Sequence, residues 1–165
     1  MFASSRPVTC RTGIIGACAL LLSACANQGS FGPTSSDPAA LPEIPPAIKA
    51  QEITGRWGLA AYHKPDDRGR TEVAAAGQCK QPYVITMGST GGVMMHLADQ
   101  SKPEELRMKG APGNKTYIGP AGEAGGMQDR EVVAFDGRVM ILRFVDPEVA
   151  GRYGSMVYVR CGPRA

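Results

Sequence analysis

Arg130-Glu131-Val132-Val133-Ala134-Phe135-Asp136-Gly137-Arg138-Val139-Met140-Ile141-Leu142-Arg143-Phe144-Val145 reads as two β-strands folded back on each other. Asp-Gly between apolar runs favours a tight type I′ hairpin, because both central residues of that turn need positive φ. In the second strand Met140, Leu142 and Phe144 share one face. Val139 and Ile141 make the opposite face apolar as well, so that face needs a cover, from a helix or from a partner.

The same alternation of short strands and turn residues extends outward in both directions. Strands are predicted at Gly55–Ala61, Pro82–Met87, Gly92–Ala98, Glu105–Lys109, Lys115–Gly119, Arg130–Phe135, Val139–Val145 and Ser155–Cys161. Trp57 and Leu59 share a face, as do Tyr83, Ile85 and Met87. Ser89-Thr90-Gly91-Gly92 and Pro112-Gly113-Asn114 supply two of the turns. Eight short antiparallel strands in a 50–165 domain predict an all-β fold, a small up-and-down barrel. Closure is preferred to a sandwich because it removes exposed edge strands. Thr71-Glu72-Val73-Ala74-Ala75-Ala76-Gly77 predicts one or two capped helical turns. Pro46 to Glu52 predicts a short helix, with Ile44, Ile48 and Ile53 turned toward the domain.

Upstream, the chain changes character. Arg6 and Arg11 precede an apolar run, Ile14 to Leu22, which ends in Leu22-Ser23-Ala24-Cys25. This is export-signal anatomy over 1–24, far short of the ~20 apolar residues that span a bilayer. The last four residues match the bacterial lipobox, so the mature chain is expected to begin at a lipidated Cys25. Ala26 follows, where bacterial lipoproteins retained in the inner membrane tend to carry Asp, so an outer-membrane anchor is expected, with the domain facing the periplasm or the cell surface. Residues 25–49 are rich in Pro, Ser and Gly and read as a disordered, partly polyproline stalk.

Removing residues 1–24 takes away two arginines and no acid, which leaves 16 basic against 15 acidic residues. There is no basic block, so nucleic acid is not an implied partner. Of five cysteines, Cys10 and Cys18 leave with the signal and Cys25 is lipidated. Cys79 and Cys161 remain, and in an oxidising compartment an even pair reads as one disulfide.

Gly55-Arg56-Trp57 after a short helical lead-in resembles the Gly-x-Trp signature of lipocalin-like (calycin) barrels. In that group the Trp plugs the closed end of the barrel, often beneath an arginine from a late strand, a role the resemblance gives to Arg160. Length and export also resemble the bacterial alkaline proteinase inhibitor family, compact eight-stranded barrels with a disulfide that include outer-membrane lipoproteins. The stretch between Tyr62 and Pro82 is longer than that pattern, and Cys161 comes late. Inhibitors of that kind insert a free N-terminal segment into the protease, whereas here that end is the tethered stalk.

Candidate chemistry is sparse. His63, Asp66, Asp67 and Arg68 fall in a polar segment that reads as a solvated loop, with a recognition loop as the functional alternative. Met94-Met95-His96 combines thioether and imidazole, the ligands copper(I) favours, but two ligands are too few and barrel packing is the expected role. Gly119–Gly126 reads as a mobile hairpin loop, since it lacks the Gly-Lys-Ser/Thr ending of a phosphate loop. Tyr62, Tyr117, Tyr153 and Tyr158 either line a pocket or cover core. Neither Gly-x-Ser-x-Gly nor His-Glu-x-x-His occurs, and no catalytic residue, metal or cofactor is expected. The expected function is a non-enzymatic binding module held to the membrane by its N-terminal lipid and engaging an envelope protein, as a protease inhibitor or an envelope-structure factor. The alternative is a carrier of a small apolar ligand. A core closed by Trp57, Met87, Met95 and Phe144 would argue against the carrier.

Overall fold

The computed structural model describes residues 43–162. The export signal, Cys25 and most of the stalk lie outside these residues. Eight antiparallel strands close into a barrel in simple up-and-down order. They are β1 (Gly55–Tyr62), β2 (Tyr83–Met87), β3 (Val93–His96), β4 (Pro103–Ala111), β5 (Lys115–Gly119), β6 (Arg130–Phe135), β7 (Val139–Phe144) and β8 (Ser155–Arg160). Closure is made by β1 on β8, from Trp57 opposite Arg160 to Tyr62 opposite Ser155. No strand edge is left over, which is the advantage closure offers a small β-protein.

Among the described residues three short α-helices accompany the barrel: α1 (Ala50–Ile53), α2 (Arg68–Gly77) and α3 (Pro147–Tyr153). α1 begins later than the sequence predicts. Ala47 N–H donates to Thr116 Oγ1 at 3.1 Å, and the Lys49 N–H donates to the Glu52 carboxylate at 2.7 Å, so the first turn is set at Lys49. Residues 44–49, read from the sequence as the end of the linker, bring backbone against the barrel, although the Ile44 side chain, expected to turn inward, is 46 % exposed. A Cβ on Gly110 of β4 would come within 2.3 Å of the Ile44 carbonyl oxygen, and Ile48 packs on the core.

α2 begins at Arg68 rather than Thr71, directly after a 3-10 turn over Pro65–Asp67. It lies on the outside of the barrel. Ala75 packs with Val139, Ile141, Val157 and Val159, so the helix is the cover that the two-faced apolar β7 requires. Approach is closest at Gly58 of β1, where a Cβ would stand 1.9 Å from the Ala75 carbonyl oxygen. Glycine there lets the helix backbone sit on the strand. α3 is absent from the sequence reading, although its signals are present. Asp146 accepts from Glu148 N–H at 2.8 Å, Pro147 opens the helix, and Gly154 leaves it at φ 68°.

The interior is filled. Ile53, Trp57, Val93, Met95, Ile118, Met140 and Leu142 have no exposed surface, and Ile85, Leu106 and Tyr158 have 1 %. Met87 is a correction. Its alternation with Tyr83 and Ile85 places it on the core face, but it is 40 % exposed. It is the last residue of β2, opposite Val93, where the strand leaves the barrel for the Gly88–Gly92 turn.

The hairpin that decides the fold also differs in its turn. Asp136 N–H donates to Val139 C=O, so Gly137 and Arg138 are the central pair rather than Asp136 and Gly137. Gly137 takes the positive φ (84°) at the first central position. Asp136 keeps negative φ and uses its carboxylate to accept from Arg138 and Val139 N–H at 2.8 and 2.6 Å. A bulge between Val132 and Ala134 then shifts the register again, and Arg130 pairs with Phe144.

Candidate functional site

The two ends of the barrel are built differently. One end is sealed. α1 crosses it, and Trp57 Nε1 donates to Ile53 C=O at 2.9 Å. The Arg160 guanidinium lies 4.1 Å from the centre of the Trp57 ring. It also donates to Gly137 C=O at 2.6 Å, Thr54 C=O at 2.9 Å and Glu52 C=O at 2.6 Å. One planar fork therefore joins α1, the β6–β7 turn and β8. Gly55 enters β1 at φ 133°, where a Cβ would stand 2.9 Å from Arg160 Nη1. The Cys79–Cys161 disulfide stands beside this end, linking the segment after α2 to the residue after β8, with Cα atoms 5.6 Å apart. Gly55, Trp57, Arg160 and Cys161 are thus brought together.

His63, Asp66, Asp67 and Arg68 are not part of that group. They belong to the turn into α2 and to its first residue, not to a free loop. Arg68 pairs with Glu72 at 2.9 Å, and Asp67 pairs with Arg70 at 2.9 Å. These pairs hold the helix start and leave His63 and Asp66 as exposed side chains.

The opposite end is the mouth, and it carries a pocket of about 230 Å³. Its walls are Tyr83, Leu97, Phe144, Met156 and Tyr158, and its rim holds Asp99 and Tyr153. Arg130 lies at its base with 2 % of its surface exposed. Arg130 Nη2 donates to the His96 carbonyl, and the guanidinium stands 4.8 Å from the Phe144 ring centre. Its Nε–H has no partner among the described residues. Tyr83 OH contacts His96 Nδ1 at 3.2 Å and accepts from His96 N–H at 2.9 Å. His96 is therefore bound to a tyrosine, with Met95 in the core and Met94 paired across to Glu105 and Thr86. Burial raises the Tyr83 phenol and raises Tyr158 further, so both stay neutral hydroxyls. At the rim, Tyr153 OH and Arg152 both donate to Asp99, which lowers that carboxyl through the tyrosine first and the arginine second.

The glycine-rich loop beside the mouth is pinned rather than mobile, which corrects the sequence expectation. Asp129, 1 % exposed, accepts from Gly125 and Gly126 N–H at 2.8 and 3.0 Å and from Lys109 Nζ at 2.6 Å. Lys109 also donates to Pro120 and Glu123 C=O, each at 3.0 Å. A buried ion pair with every oxygen engaged fixes a loop whose composition alone reads as flexible. Of the four tyrosines singled out, Tyr153 and Tyr158 line the mouth, whereas Tyr62 packs in the outer cluster with α2.

Fold and site together define a small closed eight-stranded barrel with one sealed end and one open end. No protein-family model, no curated protein and no solved structure matches the chain.

Proposed function

We propose that this protein is an envelope lipoprotein, anchored in the outer membrane through Cys25, whose barrel is a non-enzymatic binding module for another envelope protein. A protease-inhibitor role or an envelope-structure role fits this class. The lipobox and the export signal support the placement. The observation that carries the binding reading is the filled interior. Trp57, Met95, Met140 and Leu142 are fully buried and fill the barrel below the mouth pocket. What a packed scaffold offers is a rigid platform for surface recognition. The lipocalin-like resemblance is kept as architecture, on Gly55, Trp57 and Arg160.

The second reading, a carrier of a small apolar ligand, draws on one observation, the apolar walls of the mouth pocket. Capture of the acylated protein from cross-linked cell envelopes separates the two, with a Cys25→Ser chain as the control. A specific envelope protein recovered with the acylated chain and lost with the soluble one supports the tethered module. Recovery of a lipid or small molecule with no protein overturns it in favour of the carrier.

A further inference from the structure

Among the described residues one buried charge, that of Arg130, has no counter-charge. A guanidinium stays ionised in any protein environment, and burying an unpaired charge is costly. Arg130 is 2 % exposed, points into the barrel at the base of the mouth pocket, and has an Nε–H without an acceptor among the described residues. Among those residues no carboxylate comes within 4.0 Å of it. The acids nearest in sequence or space are already engaged. Asp129, its chain neighbour, is held by Lys109 and two backbone N–H groups. Asp99 at the rim is held by Arg152 and Tyr153. The contrast is local, because the half-buried Lys109 has its carboxylate and the buried Arg130 does not. The Phe144 ring, the His96 carbonyl and the neighbouring Tyr158 hydroxyl offset part of the cost, but none of them carries a charge.

We propose that the mouth pocket binds a small carboxylate with a short apolar tail, the carboxylate on Arg130 and the tail against Leu97, Phe144 and Met156. The planar fork of a guanidinium suits the two oxygens of a carboxylate. A monoanion matches the charge. Arg130 is the one cationic side chain lining the pocket among the described residues, and Asp99 at the rim disfavours a dianion such as phosphate. Tyr83 and Tyr158, as neutral hydroxyls, add no competing negative charge. The volume of about 230 Å³ sets the tail length. At ~30 Å³ per water-sized group it holds about seven or eight heavy atoms, the size of a six-carbon acid. It falls below the ~300–1,000 Å³ of sites for drug-sized ligands. The site takes up the second reading, a small-ligand carrier, at the mouth pocket, and the titration below tests it apart from envelope capture, which tests the protein-partner reading.

The test is calorimetric titration of hexanoate into the full acylated protein in phosphatidylcholine nanodiscs, with empty discs as the blank. Hexanol, with the same tail and no charge, and inorganic phosphate are titrated alongside. Expected are saturable one-to-one binding of hexanoate and binding of hexanol weaker by about tenfold to a hundredfold, the range of a charge-assisted hydrogen-bonded pair. Phosphate is expected to bind more weakly than hexanoate. Arg130→Met, with its fold checked by circular dichroism, is expected to erase the preference for hexanoate over hexanol. Arg130→Lys is expected to keep part of it, which covers the case in which the methionine variant fails to fold. Equal binding of hexanoate and hexanol, phosphate binding as tight as hexanoate, an unchanged preference in a folded Arg130→Met protein, or no saturation at about 10 mM hexanoate would each overturn the proposal.

Discussion

Replacing Arg160 with Met would unfasten the sealed end of the barrel. The substitution keeps an unbranched apolar stem but removes donation to the carbonyls of Gly137, Thr54 and Glu52, and the contact with the Trp57 ring. Three hydrogen bonds from a charged donor at partly exposed sites contribute about 1 kcal/mol each. The cation–π contact adds about 1 kcal/mol. The expected loss is therefore about 4 kcal/mol in urea unfolding, or on the order of 15 °C in Tm for a domain of this size. The effect also has a location. α1 is four residues long and has little stability of its own, so without the fork it should detach from the barrel end. Trp57 is the single tryptophan of the chain and is fully buried beneath Arg160. Its emission should shift to the red and become accessible to acrylamide even where the variant remains folded. Arg160→Lys should recover part of the stability, since an ammonium keeps the charge but cannot reach three carbonyls as a fork does. A loss below about 1 kcal/mol with unchanged tryptophan emission would refute the idea that Arg160 closes this end.

Three further outcomes follow from the contacts. The disulfide spans 82 residues, so the Cys79→Ser/Cys161→Ser double variant should lose about 4–5 kcal/mol in denaturant unfolding, the loop-closure value for that length. Lys109→Met leaves Asp129 buried without its cation and should cost about 3–5 kcal/mol, with faster hydrogen exchange at the Gly125 and Gly126 amides as the local sign. Glu105 braces the β2–β3 turn, accepting from Thr90 hydroxyl first and then from Gly92 N–H, and these bonds pull its carboxyl from the ordinary 4.5 down to about 2. A carboxyl lowered in the folded state stabilises above its unfolded pKa. The stability gap between the native protein and Glu105→Gln should therefore be full above about pH 4.5 and close as pH falls through about 2, as read by urea titrations at fixed pH.

The barrel was legible because each strand carries its own period-two pattern and its own turn. Val139–Phe144 shows both, and so does the need of its second face for a cover, which α2 supplies. The sealed end was legible through Gly55, Trp57 and Arg160, three residues of distinctive type at strand ends. The mouth was not. An Asp136-Gly137 central pair places Arg130 opposite Arg143, on the face that looks to solvent. The turn closes on Gly137-Arg138 instead, the bulge after Val132 adds a second shift, and Arg130 comes opposite Phe144, inside. The turn moves the partner by two residues and keeps the face, so the one-residue bulge after Val132 is what brings the arginine inside, and only long-range pairing reveals it. The pinned loop was hidden for a related reason. Gly119–Gly126 is flexible by composition, and the Lys109–Asp129 pair that holds it joins β4 to the residue before β6, 20 residues apart in sequence. α3 was hidden only by its length, because Asp146, Pro147 and Gly154 are capping residues of a familiar kind.

The claim on which the proposed function rests is the lipid anchor. The most direct measurement is the intact mass and N-terminal fragment spectrum of the protein extracted from the bacterial envelope. A chain beginning at Cys25, with a diacylglyceryl group on its sulfur and an acyl group on its α-amino nitrogen, is the predicted result. A chain starting at any other residue, or a Cys25 without lipid, would contradict the account and leave the barrel a soluble protein with no tether.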